Sequence, residues 1–151
     1  MNHSEEHIHE KMMNLALKQA ALAGSDNEVP IGAIITDEFG KVIAKGYNQC
    51  ERLNDPTAHA EMLAITAACT HFGSKYLQKC TIYVTVEPCP MCAGAIKWAQ
   101  IATIVYGTDD PKAGYTAIDN GKLFPSKIKI VKGILQEKCS ELMLDFFRGL
   151  R

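Results

Sequence analysis

The chain contains nothing near the roughly 18 consecutive apolar residues that a membrane span requires. Its first ten residues include Glu5, Glu6 and Glu10 and lack the basic start and apolar run of a secretory leader. A cytoplasmic protein with no membrane association is therefore expected. Cysteine is too sparse for a disulfide scaffold, at six in 151 residues. In a reducing compartment such thiols stay free, and any cluster of them is a candidate metal or catalytic site. A charge field of one sign is also missing: the net charge is −1, which announces no global affinity for nucleic acid. No internal repeat, low-complexity tract or linker interrupts the sequence. What remains is ordinary globular composition, 47% hydrophobic and 22% charged, in a length that suits a single domain over residues 1–151.

Charge is nevertheless uneven along the chain. Residues 1–30 carry Lys11 and Lys18 against Glu5, Glu6, Glu10, Asp26 and Glu28, whereas residues 121–151 carry seven Lys or Arg against Glu137, Glu141 and Asp145. A basic final third can attract phosphates locally, and a solvated helix face explains it equally well.

Hydrophobic periodicity lays out the elements. Ile8, Met12, Leu15 and Leu22 recur at helical spacing, with Gly24 as a stop. Ile31 to Thr36 and Lys41 to Tyr47 read as two strands of a hairpin around the Asp37–Gly40 turn. A polar loop, Asn48 to Thr57, leads into a helix from about Ala58 to Ala68, with Pro56 and Thr57 just ahead of it. Thr81 to Val86, a short helix from Met91 to Ala99, and Ile101 to Tyr106 form a βαβ unit, whose strands should be parallel. Ile128 to Val131 and a helix from Gln136 to Arg148 complete the chain. The expected fold is α/β, a three-layer α/β/α sandwich around a five-stranded mixed sheet.

Two short motifs carry chemistry: His59-Ala60-Glu61 at a helix entrance, and Pro88-Cys89-Pro90-Met91-Cys92 at a strand-to-helix turn. Cysteines three apart can grip one ion, and a helix N-terminus favours the thiolates that bind metal. One imidazole and two thiolates form a soft donor set suited to zinc. Three protein ligands leave a fourth position for water, the mark of a catalytic rather than a structural site. Such a water ionises near a pKa of ~7. At a helix entrance Glu61 can share a cavity with His59 and move that water's proton to a substrate. The pattern H-x-E…P-C-x-x-C is an already known signature of zinc nucleobase deaminases, tRNA adenosine deaminases among them.

Other readings of the same residues are blander. A lone C-x-x-C also fits a redox pair or half of a zinc ribbon. A ribbon needs a second pair, which Cys50, Cys69, Cys80 and Cys139 do not supply, and a redox motif leaves His59-Ala60-Glu61 unexplained. Those four cysteines read as small core or near-surface thiols. His3, His7 and His9 read as solvated side chains, and His71 as a surface or capping residue. The apolar stripe Leu142, Leu144, Phe146 and Phe147 reads as core.

From Val29 to Arg148, about four-fifths of the chain, the sequence resembles the cytidine deaminase-like superfamily and, within it, the bacterial tRNA-specific adenosine deaminases. The resemblance rests on Val29-Pro-Ile-Gly-Ala33, Gly46-Tyr-Asn48, Asp55-Pro-Thr-Ala-His-Ala-Glu61, Tyr83-Val-Thr-Val-Glu-Pro-Cys89, Cys92-Ala-Gly-Ala95 and Asp145-Phe-Phe-Arg148. It implies a homodimeric zinc hydrolase acting on the wobble adenosine of a tRNA anticodon stem-loop. Zn2+ would be held by His59, Cys89 and Cys92, with Glu61 as the proton carrier. Asn48 and the backbone N–H of Ala60 would hold the base, and Asp110 would touch RNA beside it. Hydroxide would attack C6 and ammonia would leave, giving inosine. A base in an anticodon loop is already partly unstacked, so extruding it costs little.

Two departures bear on the RNA contacts. The segment from Tyr115 to Pro125 is shorter than its family counterpart, and Trp98 is similar to a residue of bacterial guanine deaminases. A free-base or nucleoside deaminase, guanine deaminase for example, is therefore the runner-up. A zinc-stabilised RNA-binding module without turnover stands third, because a structural zinc needs no acid such as Glu61 beside it.

Overall fold

A computed structural model describes residues 1–149 of the chain. Eleven elements follow in order: α1 (His3–Ser25), β1 (Gly32–Thr36), β2 (Val42–Tyr47), α2 (Cys50–Leu53), α3 (Ala60–Phe72), β3 (Thr81–Val86), α4 (Pro90–Trp98), β4 (Thr103–Thr108), α5 (Thr116–Asp119), β5 (Lys129–Lys132) and α6 (Gln136–Gly149). The five strands form one mixed sheet in the order β2-β1-β3-β4-β5. β1 is antiparallel to β2 and β3, whereas β3/β4 and β4/β5 are parallel. The expected hairpin and the parallel βαβ unit are both present.

Strand alternation splits the core into two layers. Ile34, Tyr83 and Val105 point to one face and pack with Met13 and Ala16 of α1 and Cys139 of α6. Ala33, Ile35, Ile82, Val84 and Ile104 point to the other and pack with Ala64 and Ala68 of α3 and Ile96 of α4. This is the expected sandwich.

Three expectations need correction. In α1 the buried face is Met12, Met13, Ala16, Ala20 and Ala23, while Ile8 and Leu22 are half exposed. Small alanines let the helix lie close on the sheet, so the larger side chains sit outward. Asn2 caps the helix early, its Oδ1 accepting the Glu5 N–H at 2.9 Å. In α6 the stripe Leu142, Leu144, Phe146, Phe147 is not one face. Cys139 is buried, and Leu142, Met143 and Phe146 follow it at helical spacing on the half-buried side, whereas Leu144 and Phe147 are 49% and 48% exposed. Finally, His9 is not solvated like His3 and His7: it is half-buried, with Nδ1 2.9 Å from the Tyr83 hydroxyl.

Candidate active site

Parallel strands β3 and β4 end side by side, and in open α/β sheets ligands bind outside such carboxyl ends. β3 runs directly into Glu87, Pro88 and Cys89, the last being the residue that precedes α4. Pro90 occupies the first turn of α4, where its missing N–H costs nothing. Cys92 follows within the same turn and is completely buried. From the other side His59 occupies the N-cap position of α3. Gly46 on β2 brings that helix close: a Cβ there would strike the Ala60 carbonyl and lie 2.9 Å from the Ala64 nitrogen.

The two motifs, 30 residues apart, thereby converge. His59 Nδ1 lies 3.6 Å from Cys89 Sγ and 3.4 Å from Cys92 Sγ. Among the described residues these three are the one group of His, Cys, Asp or Glu donors lying within 4.8 Å of one another. Around a tetrahedral zinc, bonds of ~2.0–2.1 Å to nitrogen and ~2.3 Å to sulfur place N and S about 3.5 Å apart. The donors fit zinc in both type and spacing. Their protonation agrees: the Cys89 thiol is held down at about 4, first by the hydrogen bond to Cys92 and also by His59. The Cys92 thiol is pushed well up, by that same bond to Cys89 and by burial.

Glu61 is 3% exposed, and burial raises its carboxyl to about 7. A dication at the three donors would work in the opposite direction, favouring the ionised carboxylate that accepts a proton.

One pocket of about 190 Å³ holds Asn48, His59, Ala60, Glu61, Cys89 and Asp110 in its wall. The volume is below the roughly 300–1,000 Å³ of drug-sized pockets and suits a single base. Asn48 Nδ2 donates to the Val29 carbonyl at 3.3 Å, while its Oδ1 is buried without a partner among the described residues. An orphaned acceptor inside a cavity asks for a ligand N–H. α3 has no side-chain cap, and the Ala60 N–H is one of those a helix start leaves unpaired within the helix. Asp110 is more constrained than its sequence context suggested: its Oδ1 already accepts the Lys112 and Ala113 N–H groups at 3.2 and 3.0 Å.

Sequence inspection missed two buried carboxylates. Glu28 accepts the Glu51 and Arg52 N–H groups at 2.9 and 2.8 Å, pinning α2 just after Asn48. Glu87 accepts the N–H groups of Asp110, which lines the pocket, and of Thr116 at 3.2 and 3.1 Å. Their one sequence signal was placement beside recognised motifs. Trp98 is 82% exposed and does not line the pocket, so it carries no argument for guanine.

Fold and donor set together define a zinc-binding deaminase. The sequence pattern of the family described as "Cytidine and deoxycytidylate deaminase zinc-binding region" matches residues 6–108. The chain belongs, within that class, to the tRNA-specific adenosine deaminase family. It is 40% identical over 146 residues to the tRNA-specific adenosine deaminase of Bacillus subtilis, covering 94% of this chain and 90% of the relative. A structure from work on A-to-I editing by tRNA:A34 deaminases at the wobble position of transfer RNA superposes with a TM-score of 0.81 at 38% identity, covering 87% of this chain and 98% of that one. Guanine deaminase from Bacillus subtilis is similar at a TM-score of 0.65 and 33% identity, with 85% and 82% covered. Among the described residues no helix is long and apolar enough to cross a membrane.

Proposed function

We propose that this chain converts adenosine to inosine at the wobble position of a tRNA anticodon stem-loop. The observation that carries it is the convergence of the His59, Cys89 and Cys92 donors, buried Glu61 and the unpaired Asn48 acceptor on one base-sized pocket. Bound zinc supplies the Lewis acidity that makes a water nucleophilic near neutral pH. Glu61 would take one proton from the attacking water as its oxygen bonds to C6. It would pass that proton to the ring nitrogen and then carry the second proton, from the new C6 hydroxyl, to the leaving amine, so that C6=O forms as the C–N bond breaks and ammonia departs. Asn48 Oδ1 accepts an N–H of the base, and the Ala60 N–H holds its orientation.

An open groove favours RNA over a free base. A second hollow of about 530 Å³ shares Val29, Ile31, Val86, Asp110 and Ala113 with the pocket and runs on past Lys112 to Leu144 and Phe147. Flanking nucleotides have room there. The same proposal takes residues 1–151 as one catalytic domain working in the cytoplasm as a homodimer. Met91 and Trp98, 37% and 82% exposed on α4, offer an apolar face for the second copy.

The test is turnover of an anticodon stem-loop RNA beside free guanine, adenosine and cytidine. Inosine should appear at the wobble position, and Glu61→Gln should keep one zinc per chain while losing more than the ~10²–10⁴-fold typical of one acid–base group. Guanine turnover without RNA turnover would overturn the proposal. Light scattering reads the dimer, which Trp98→Lys should weaken.

A further inference from the structure

We infer that Glu87 is a positioning residue that presets residues 109–116 as the substrate-side wall of the pocket and so fixes Asp110 beside the reacting base. The inference rests on the RNA-deaminase function proposed above. Glu87 sits between the end of β3 and the zinc-side Cys89, and its own N–H donates to the Thr108 carbonyl at 2.8 Å. The side chain is 4% exposed, yet it forms no ion pair within 4 Å among the described residues. The three hydrogen bonds of its carboxylate all go to Asp110 and Thr116, at the two ends of one segment. Oε1 accepts the Asp110 N–H at 3.2 Å, and Oε2 accepts the Thr116 N–H at 3.1 Å and the Thr116 hydroxyl at 2.8 Å.

The loop is shaped to receive that carboxylate. A Cβ at Gly114 would fall on the Glu87 carboxylate and lie 2.6 Å from the Asp110 carbonyl, so only glycine lets the chain wrap so closely. Gly114 N–H donates to the Asp110 carbonyl at 2.8 Å, and Tyr115 N–H to the Pro88 carbonyl at 2.9 Å. A buried carboxylate meeting backbone donors makes stronger bonds than a neutral acceptor does, and an unpaired one is costly. Glu87 therefore holds the loop without touching the reacting atoms.

Glutamine is the informative replacement, because it keeps the shape but turns one acceptor into a donor. Its amide oxygen can serve Thr116, leaving an NH2 opposed to the Asp110 N–H. In zinc-loaded Glu87→Gln, KM for the stem-loop RNA should rise about tenfold, the equivalent of one lost contact of ordinary strength. kcat should stay within about twofold and zinc at one per chain. Amide hydrogen exchange of Asp110 should accelerate by at least about tenfold while Val84 and Val105 keep their protection. Gly114→Ala attacks the same contact from the loop side and should give the same split, which covers the case of a Glu87 variant that does not fold. Unchanged KM and unchanged Asp110 exchange in both variants would overturn the inference, as would a loss confined to kcat or zinc. If the wild type deaminates no RNA, the function proposed above fails, and the exchange measurement still decides whether Glu87 holds the loop.

Discussion

Gly46→Ala tests how closely α3 must approach β2 for the site to form. The new Cβ meets backbone atoms of α3, the Ala60 carbonyl and the Ala64 nitrogen at 2.9 Å, so no side chain can swing aside to relieve it. Restoring the roughly 3.5–4.0 Å of an ordinary contact to the Ala64 nitrogen alone moves the helix out by at least about 0.6–1 Å, and the nearer Ala60 carbonyl demands more. His59 and Glu61 sit at the N-terminal end of that helix and move with it. Overpacking of this kind costs about 1–3 kcal/mol. For a chain of this size that is roughly 2–12 °C in melting temperature. A misplacement near 1 Å costs on the order of 10²-fold in rate. Calorimetry of the zinc-loaded variant, its zinc content and single-turnover deamination of the stem-loop RNA read the three effects. A variant that melts with the wild type and turns over at its rate would refute the reasoning, since α3 would then have room to retreat without disturbing the donors.

Two further outcomes follow from surface charge and from His9. Arg148 is exposed and, among the described residues, paired only with Asp145 at 3.6 Å on its own helix, a contact too solvated to hold it. If it meets an RNA phosphate, Arg148→Ala should reduce the slope of log affinity against log salt by roughly 0.7 and spare zinc. An unchanged slope, read by fluorescence anisotropy at several salt concentrations, removes Arg148 from the RNA surface; Arg151, the other tail cation, lies outside the described residues. His9 is held below its usual pKa first by burial against Tyr83, then by Lys129, with Glu5 opposing. Its folded pKa being lowered, its stabilisation is complete above the unfolded value near 6.5 and is lost as pH falls through the lower folded value. His9→Gln keeps a partner for the Tyr83 hydroxyl and should flatten the stability loss from about pH 6.5 downward; an identical pH profile for both proteins in urea titrations would contradict this.

The candidate metal donors and the carboxylate beside them were legible because each motif is local. His59 and Glu61 are two residues apart, Cys89 and Cys92 three; the first pair opens a helix after a polar loop with Pro56, and the second follows a β-branched run ended by proline. The parallel pairing of the βαβ unit was equally legible, since a crossover helix between two strands leaves little choice but that. What periodicity could not settle was which of several apolar faces a helix would bury. α1 chose its alanines over Ile8 and Leu22, and α6 turned Leu144 and Phe147 outward, because close approach to the sheet decided the matter. The single-turn helices α2 and α5 were invisible for a related reason. α2 is held by Glu28, whose carboxylate arrives from more than 20 residues away, and α5 begins at Thr116, which Glu87 grips from 29 residues away. A carboxylate's position along the chain says nothing about which N–H groups it will meet when buried. The chain's local order of residues thus determined the chemistry of the donors, and tertiary packing alone decided the walls around them, because a buried charge is satisfied by whatever donors the fold brings to it.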